Sequence, residues 1–447
     1  MNRSLATIIT TALTLLSAPL QAEDLLEVTH YALEQDQQLA ISRLDLSIQQ
    51  EQQYQAGALL LPALSTAASY KYGDNSRYAD QNRTAAYSFN LTQSLYRPEL
   101  QKQLEKTVVL TQERELVLNL TQQQLLLRVA NAYFDQLSAE DSLQLAQQEH
   151  NAIAEQLKQI RQKYDVGSVS MIDLQEVQAR FDLVNAQQIS AKAAVSNSRE
   201  LLFEMVNRDL SALQPLTTEL TTELLLAPSA TDSANSVEPW IKQAINNNIE
   251  LQQLEKQLRS ATLSTEIAQS AYHPKVDLVA QLASSDNSNS NYGSDSDSYS
   301  VGIQATLPLF NGGSTRSKVA QARLQRVRIE AQQEQKKRST IKIIRSNYLA
   351  IQTAIELVKA QTQAQLSAQS AFHATRSGIE VGTRTTADLL DAQRELYSTQ
   401  RDLARSKYEL ILAQLNLKQS AGVLSLADIE GVNRLLDYSP LKHVVGR

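Results

Sequence analysis

The sequence predicts a mainly α-helical chain with a membrane β-barrel part, arranged as two tandem repeats. Each repeat supplies two β-strands and long antiparallel coiled-coil helices. Three observations predict this class: helix breakers are scarce over long stretches, two halves match at a nearly constant offset, and four segments of about ten residues alternate apolar and polar side chains.

The 447 residues include only 12 Gly and 9 Pro. No proline lies between Pro98 and Pro215, where Gly167 is the one glycine, and only Gly378 and Gly382 interrupt the stretch from Gly313 to Gly422. Separate globular domains of about 150 residues would need many more turns, so these stretches read as helices. A hydrophobic fraction of 42% and a mean hydropathy of −0.32 exclude a bundle of transmembrane helices, each of which needs about 20 apolar residues. The chain has no cysteine, which excludes disulfide scaffolds, thiolate metal sites, cysteine nucleophiles and a lipidated N-terminal cysteine. The net charge of −6 argues against nucleic-acid binding.

At the N-terminus, Arg3, an apolar run from Leu5 to Leu16 and a cut after Ala22 predict a signal peptide over residues 1–22 and export from the cytoplasm. The rest is a duplication. Tyr164-Asp165-Val166-Gly167-Ser168 followed by Asp173-Leu174 recurs as Glu380-Val381-Gly382-Thr383 followed by Asp388-Leu389. Leu61-Pro62 answers His273-Pro274, and Ala32 and Leu39 answer Ala244 and Leu251. The first repeat is expected over 23–209, with strands about 63–72 and 84–96 and long helices about 99–165 and 168–208. A linker over 210–237 leads to the second repeat, 238–421, with strands about 275–284 and 298–310 and long helices about 313–380 and 383–421. Residues 422–447 are expected to form a periplasmic C-terminal tail.

The strand segments carry the most specific pattern. Leu64, Thr66, Ala68, Tyr70 and Tyr72 alternate with polar or small residues; so do Ala85, Tyr87, Phe89 and Leu91, then Val276, Leu278, Ala280 and Leu282, then Tyr299, Val301, Ile303 and Ala305. Ten residues with period two suit a membrane barrel strand, and four strands are too few for a soluble sandwich core. The polar stretches Gly73–Arg83 and Ser284–Ser298 read as the outer loops. Four strands cannot close a barrel, so copies must combine, and an aqueous lumen calls for at least three.

The first long helix, about 65 residues, would extend about 100 Å. After Gly382 a heptad sets Leu389, Leu396, Leu403, Leu410 and Leu417 against Ala392, Thr399, Ser406, Ala413 and Ser420, a coiled-coil seam with close helix approach. Asp388 and Asp391, at i and i+3, share a helix face. No His, Lys or Tyr stands nearby to complete a catalytic mechanism. By themselves they read as two solvated carboxylates favoured by the helix dipole. The five histidines are scattered without ligand spacing, and no phosphate loop or nucleophile elbow occurs. No enzyme activity, cofactor or metal is expected.

Val381-Gly382-Thr383-Arg384-Thr385 running into Asp388-Leu389-Leu390-Asp391-Ala392-Gln393, with Val166-Gly167-Ser168 to Asp173 and the Leu61-Pro62 and His273-Pro274 strand entries, resembles the TolC family of outer-membrane efflux proteins. The resemblance covers essentially the whole mature chain. It implies a homotrimer with a twelve-stranded barrel in outer-membrane lipid and a helical tunnel in the periplasm. It further implies a passive exit duct for drug efflux or type I secretion, working with a periplasmic adaptor and an inner-membrane pump or ABC exporter. Asp388 and Asp391 would ring the tunnel entrance, Arg384 would latch it near Asp173, and the tips Gly167-Ser168 and Gly382-Thr383 would dock the adaptor. Ile379 replaces a tyrosine of the family latch. The rival reading is a periplasmic coiled-coil adaptor or structural protein that does not span a membrane.

Overall fold

The computed structural model describes residues 22–75, 80–210, 212–216, 236–289 and 295–436. The expected signal peptide, apart from Ala22, lies outside the described residues, as do 217–235 of the linker and 437–447 of the tail. The first repeat runs α1 (Leu25–Gln35), α2 (Gln37–Ala58), β1 (Ala63–Asn75), β2 (Asp80–Tyr96), α3 (Pro98–Asp165) and α4 (Met171–Val206). The second runs α5 (Glu238–Asn247), α6 (Ile249–Ser270), β3 (Lys275–Asn289), β4 (Ser296–Thr306), α7 (Ser314–Glu380) and α8 (Thr386–Ser420), followed by α9 (Leu426–Asn433).

Each repeat opens with two helices ahead of its strands. The breaks fall at Asp36 (φ −63°, ψ 119°) and Asn248 (φ −62°, ψ 118°), and their N–H groups donate to Ala32 and Ala244. Asp36 also accepts from the Leu39 N–H at 2.8 Å, capping α2. A short polar side chain thus stops one helix and starts the next with neither glycine nor proline, which is why no breaker marked the spot.

The four strands form one antiparallel sheet in the order β1-β2-β3-β4. Its register gathers the alternating residues into rows: Leu64, Leu91, Ala280 and Val301 lie side by side, then Thr66, Phe89, Leu282 and Tyr299. The adjoining rows, Ser65, Asn90, Gln281, Ser300 and Ala67, Ser88, Ala283, Ser298, point the other way. One face is therefore apolar across all four strands and the other polar. The strands are longer than their side-chain pattern. Gly73 pairs with Asn82, Asn75 with Asp80 and Ser285 with Ser296, so much of the two expected outer loops is ladder. At its other end β4 stops at Thr306, short of the expected residue 310.

The described chain divides into two compact units, each drawing on both repeats. Ile41–Leu120 with Ile249–Ser339 holds the sheet and the helical segments beside it. There Arg97, at the exit of β2, donates to both carboxylate oxygens of Asp277 on β3 at 2.8 and 2.6 Å, and Lys275 pairs with Glu99 at 2.7 Å. Two ion pairs thus clamp the strand-to-helix junction of one repeat to the strand entry of the other.

The second unit holds the helical hairpins. Ile153 and Ile160 of α3 pack on Val177 and Val184 of α4, joined by Leu390 of α8. In the leucine row of α8, Leu410 and Leu417 are buried while Leu389, Leu396 and Leu403 are half-buried. The buried hydroxyls opposite, Thr399 and Ser406, donate to carbonyls one turn back, at 3.0 and 2.8 Å, so the close seam leaves neither unsatisfied. The expected tail begins instead as α9: Ile429 is fully buried, Lys418 pairs with Asp428 at 2.6 Å, and Asn433 donates to Asp24 at 2.9 Å.

Gly422 closes α8 in the left-handed region (φ +76°), and a Cβ there would run into the backbone of Asn247 and Asn248. Gly422→Ala is expected to cost about 2–5 kcal/mol, strain and overpacking together. Gly167→Ala, at φ +72° but facing open space, costs only about 1–2 kcal/mol. Heat-induced loss of helical circular dichroism, compared between the two variants, measures the difference.

Candidate functional site: the two hairpin turns

Both long hairpins reverse through the same backbone device. After α3, Gly167 adopts φ +72°, its N–H donates to the Tyr164 carbonyl and the Ser168 N–H to that of Lys163, each at 2.8 Å. After α7, Gly382 adopts φ +76°, its N–H donates to Ile379 at 3.0 Å and the Thr383 N–H to Gly378 at 2.8 Å. This pair of bonds around a left-handed glycine satisfies the last helical carbonyls and turns the chain out of the helix. The next helices start three residues beyond the expected 168 and 383, at Met171 and Thr386, because Ser170 and Thr385 act as N-caps. Val166 and Val381 project at the apices, 77% and 75% exposed.

Asp173 and Asp388 occupy equivalent places in capping boxes. Asp173 accepts from the Ser170 N–H at 3.1 Å and hydroxyl at 2.7 Å, while Asp388 accepts from the Thr385 N–H at 3.0 Å. Bonds from the Thr385 backbone and hydroxyl, helped by the Arg384 charge, hold the Asp388 carboxyl below the usual carboxylate range. Asp391 lies one turn on and pairs with Arg394 at 3.1 Å. The two carboxylates do share a face, but one is tied into a cap and the other has its own counter-ion.

Arg384 and Asp173 are not brought together within this chain. Arg384 lies instead across Gly378, where a Cβ would sit 2.7 Å from its Cγ, and among the described residues it forms no ion pair. Two members of this site were missed in the sequence. Arg394 stands at the i+3 spacing of a helical pair with Asp391 and was there to be found. Gly378 read only as a helix interruption, whereas its role is to leave room for a side chain six residues on.

Deeper in the hairpins lie charges that no local motif announces. Glu149 of α3, 1% exposed, accepts from Arg180 of α4 at 2.5 Å and lies 3.6 Å from Arg401 of α8. Nearby, Tyr408 of α8 donates to Asp141 of α3 at 2.6 Å; burial, then the Asp141 charge, pushes the phenol far up. Among the described residues no cluster of three or more His, Asp or Glu could hold a metal ion, and no helix is long and apolar enough to cross a membrane.

The chain matches the family described as Outer membrane efflux protein over residues 28–208 and 240–423. It is 31% identical to Outer membrane protein TolC of Vibrio cholerae over 441 residues, covering 97% of this chain and 98% of that one. It is 28% identical to the alkaline protease secretion protein AprF of Pseudomonas aeruginosa, covering 91% and 86%. Among solved structures, the CmeC outer membrane channel of Campylobacter jejuni superposes with a TM-score of 0.76 at 15% identity, covering 93% of this chain and 90% of that one.

The capping box makes the charge at the turn separable from its anchorage. A carboxyl held below its ordinary value contributes fully above that ordinary range, and the contribution is lost as pH falls through the depressed value. Thr385→Ala should raise the Asp388 pKa toward the ordinary range and move that loss to higher pH. A carbon-13 titration of the aspartate carboxyls reads it.

Proposed function

The chain belongs to the outer membrane efflux protein family, and on that premise we propose how its parts divide the work of an outer-membrane exit channel for efflux and type I secretion. The observation that carries the proposal is the sheet: one face apolar on all four strands, the other polar, and two outer edges without a strand partner among the described residues. An apolar face suits lipid and a polar face suits a water-filled lumen. Three copies, edge to edge, would give twelve strands, enough to leave that lumen open, with the helices continuing as a periplasmic tunnel. A non-spanning adaptor would have no use for the apolar face.

The hairpin turns form the gated, adaptor-facing end of this homotrimer. Gly167-Ser168 and Gly382-Thr383 present exposed apices to a periplasmic adaptor, itself coupled to an inner-membrane pump or ABC exporter. Photo-crosslinking from Ser168 and Thr383 reads that contact. Arg384, which forms no ion pair among the described residues, latches onto the first-repeat turn beside Asp173 of an adjacent copy. Since Asp173 already serves its own cap, the bond is a shared one and can be given up when the entrance opens. Asp388 and Asp391 ring that entrance as a cation-attracting filter. Arg394 partly offsets Asp391, so the ring is weaker than six bare carboxylates.

Planar-bilayer recording tests both roles. Arg384→Ser is expected to raise single-channel conductance, and Asp388→Asn with Asp391→Asn to lower cation preference and relieve block by divalent cations. Conductance untouched by the first change and selectivity untouched by the second would move the constriction elsewhere.

A further inference from the structure

The charge cluster around Glu149 takes no part in either turn, yet it joins three helices. Glu149 and Arg180 are nearly fully buried, their side chains 2% and 9% exposed, whereas Arg401 is 31% exposed and reaches Glu149 across 3.6 Å. Arg180 therefore fixes α4 to α3 through the tight contact, and Arg401 holds α8 to that pair by a looser arm that water can reach. A buried carboxylate stripped of a cationic partner is unfavourable, so the joint has one preferred geometry. Tyr397, one turn from Arg401, feels the same charge: burial, and then Glu149, pushes its phenol up.

The cluster stands well back from the turns. From Glu149 to the end of α3 and from Arg401 to the start of α8 the helices run about sixteen residues, or about 24 Å. Sharp bends in helices arise at proline, glycine or an inserted turn, and Thr386–Arg401 contains neither proline nor glycine. That stretch of α8 moves as a rod. Toward the turn its apolar hold on the first hairpin is Leu390, set among Ile153, Ile160, Val177 and Val184.

We propose that the Arg401–Glu149 contact is the fulcrum about which the turn-proximal part of α8 swings when the entrance opens, made at full strength only in the closed state, so that Arg401 is a positioning residue of the gate. This rests on reading the hairpin turns as the gated end. With Glu149 and Arg180 locked, α3 and α4 stay together, and the freedom lies in the Arg401 arm and in the packing of Leu390 below it.

The test uses the full chain in planar bilayers, with Arg401→Gln, Arg401→Lys and Arg384→Ser compared. Arg401→Gln is expected to raise open occupancy about fivefold, the scale of one partly exposed ion pair, with the melting temperature of the assembled channel unchanged. Arg401→Lys, which keeps the charge, should retain most of the closure. Spin labels at Lys158→Cys and Glu395→Cys, the only cysteines then present, should show a longer and broader distance in Arg401→Gln. Wild-type occupancy and distances in Arg401→Gln overturn the fulcrum, as does Arg401→Lys opening as far as Arg401→Gln. A response to Arg401→Gln with none to Arg384→Ser keeps the fulcrum and removes the latch; the reverse removes the fulcrum alone.

Discussion

In a hydrocarbon layer every backbone N–H and C=O needs a partner within protein, and a four-stranded open sheet leaves its first and last strands bare on one side. The outer edges of β1 and β4 have no strand beside them among the described residues, while the apolar face across the sheet suits nothing better than lipid. On the proposed reading these features are met by further copies of the chain, because identical copies would bring a β4 edge to a β1 edge repeatedly until the wall closes. The proposed lumen, tunnel and gate would all follow from that closure.

Duplication explains how one chain makes both halves of its share. The helix breaks at Asp36 and Asn248, the turns at Gly167 and Gly382 and the capping boxes at Ser170–Asp173 and Thr385–Asp388 recur with the same bonds. The repeats diverge where charge matters. Arg384 stands where the first repeat has Val169, and Asp391 with its partner Arg394 stands where the first repeat has Glu176 and Ala179. A common scaffold with one differently charged turn would let the copies of the proposed trimer present the same turn toward a single axis.

Much of this was legible in the sequence because it depends on local rules. Breaker-free runs gave the helices, period two gave the sheet face, and glycine marked the turns. The strand ends were misjudged because Gly73, Asn75 and Ser285 are residue types common in loops, whereas a ladder is made by the backbone and needs no apolar residue. The paired opening helices were missed because the chain breaks at Asp36 and Asn248, extended polar residues, and not at glycine or proline. The Glu149 cluster was invisible for a different reason. Its partners lie 31 and 252 positions away, and three ordinary charged residues in charge-rich helices carry no pattern until the helices are packed.

The most direct test of the central claim, that open sheet edges are closed by further copies of this chain, is the native mass of the detergent-solubilised protein extracted from outer membranes. Three copies per particle is the predicted result. A monodisperse monomer that still conducts ions would contradict it, since a single chain would then have closed a wall that four strands cannot.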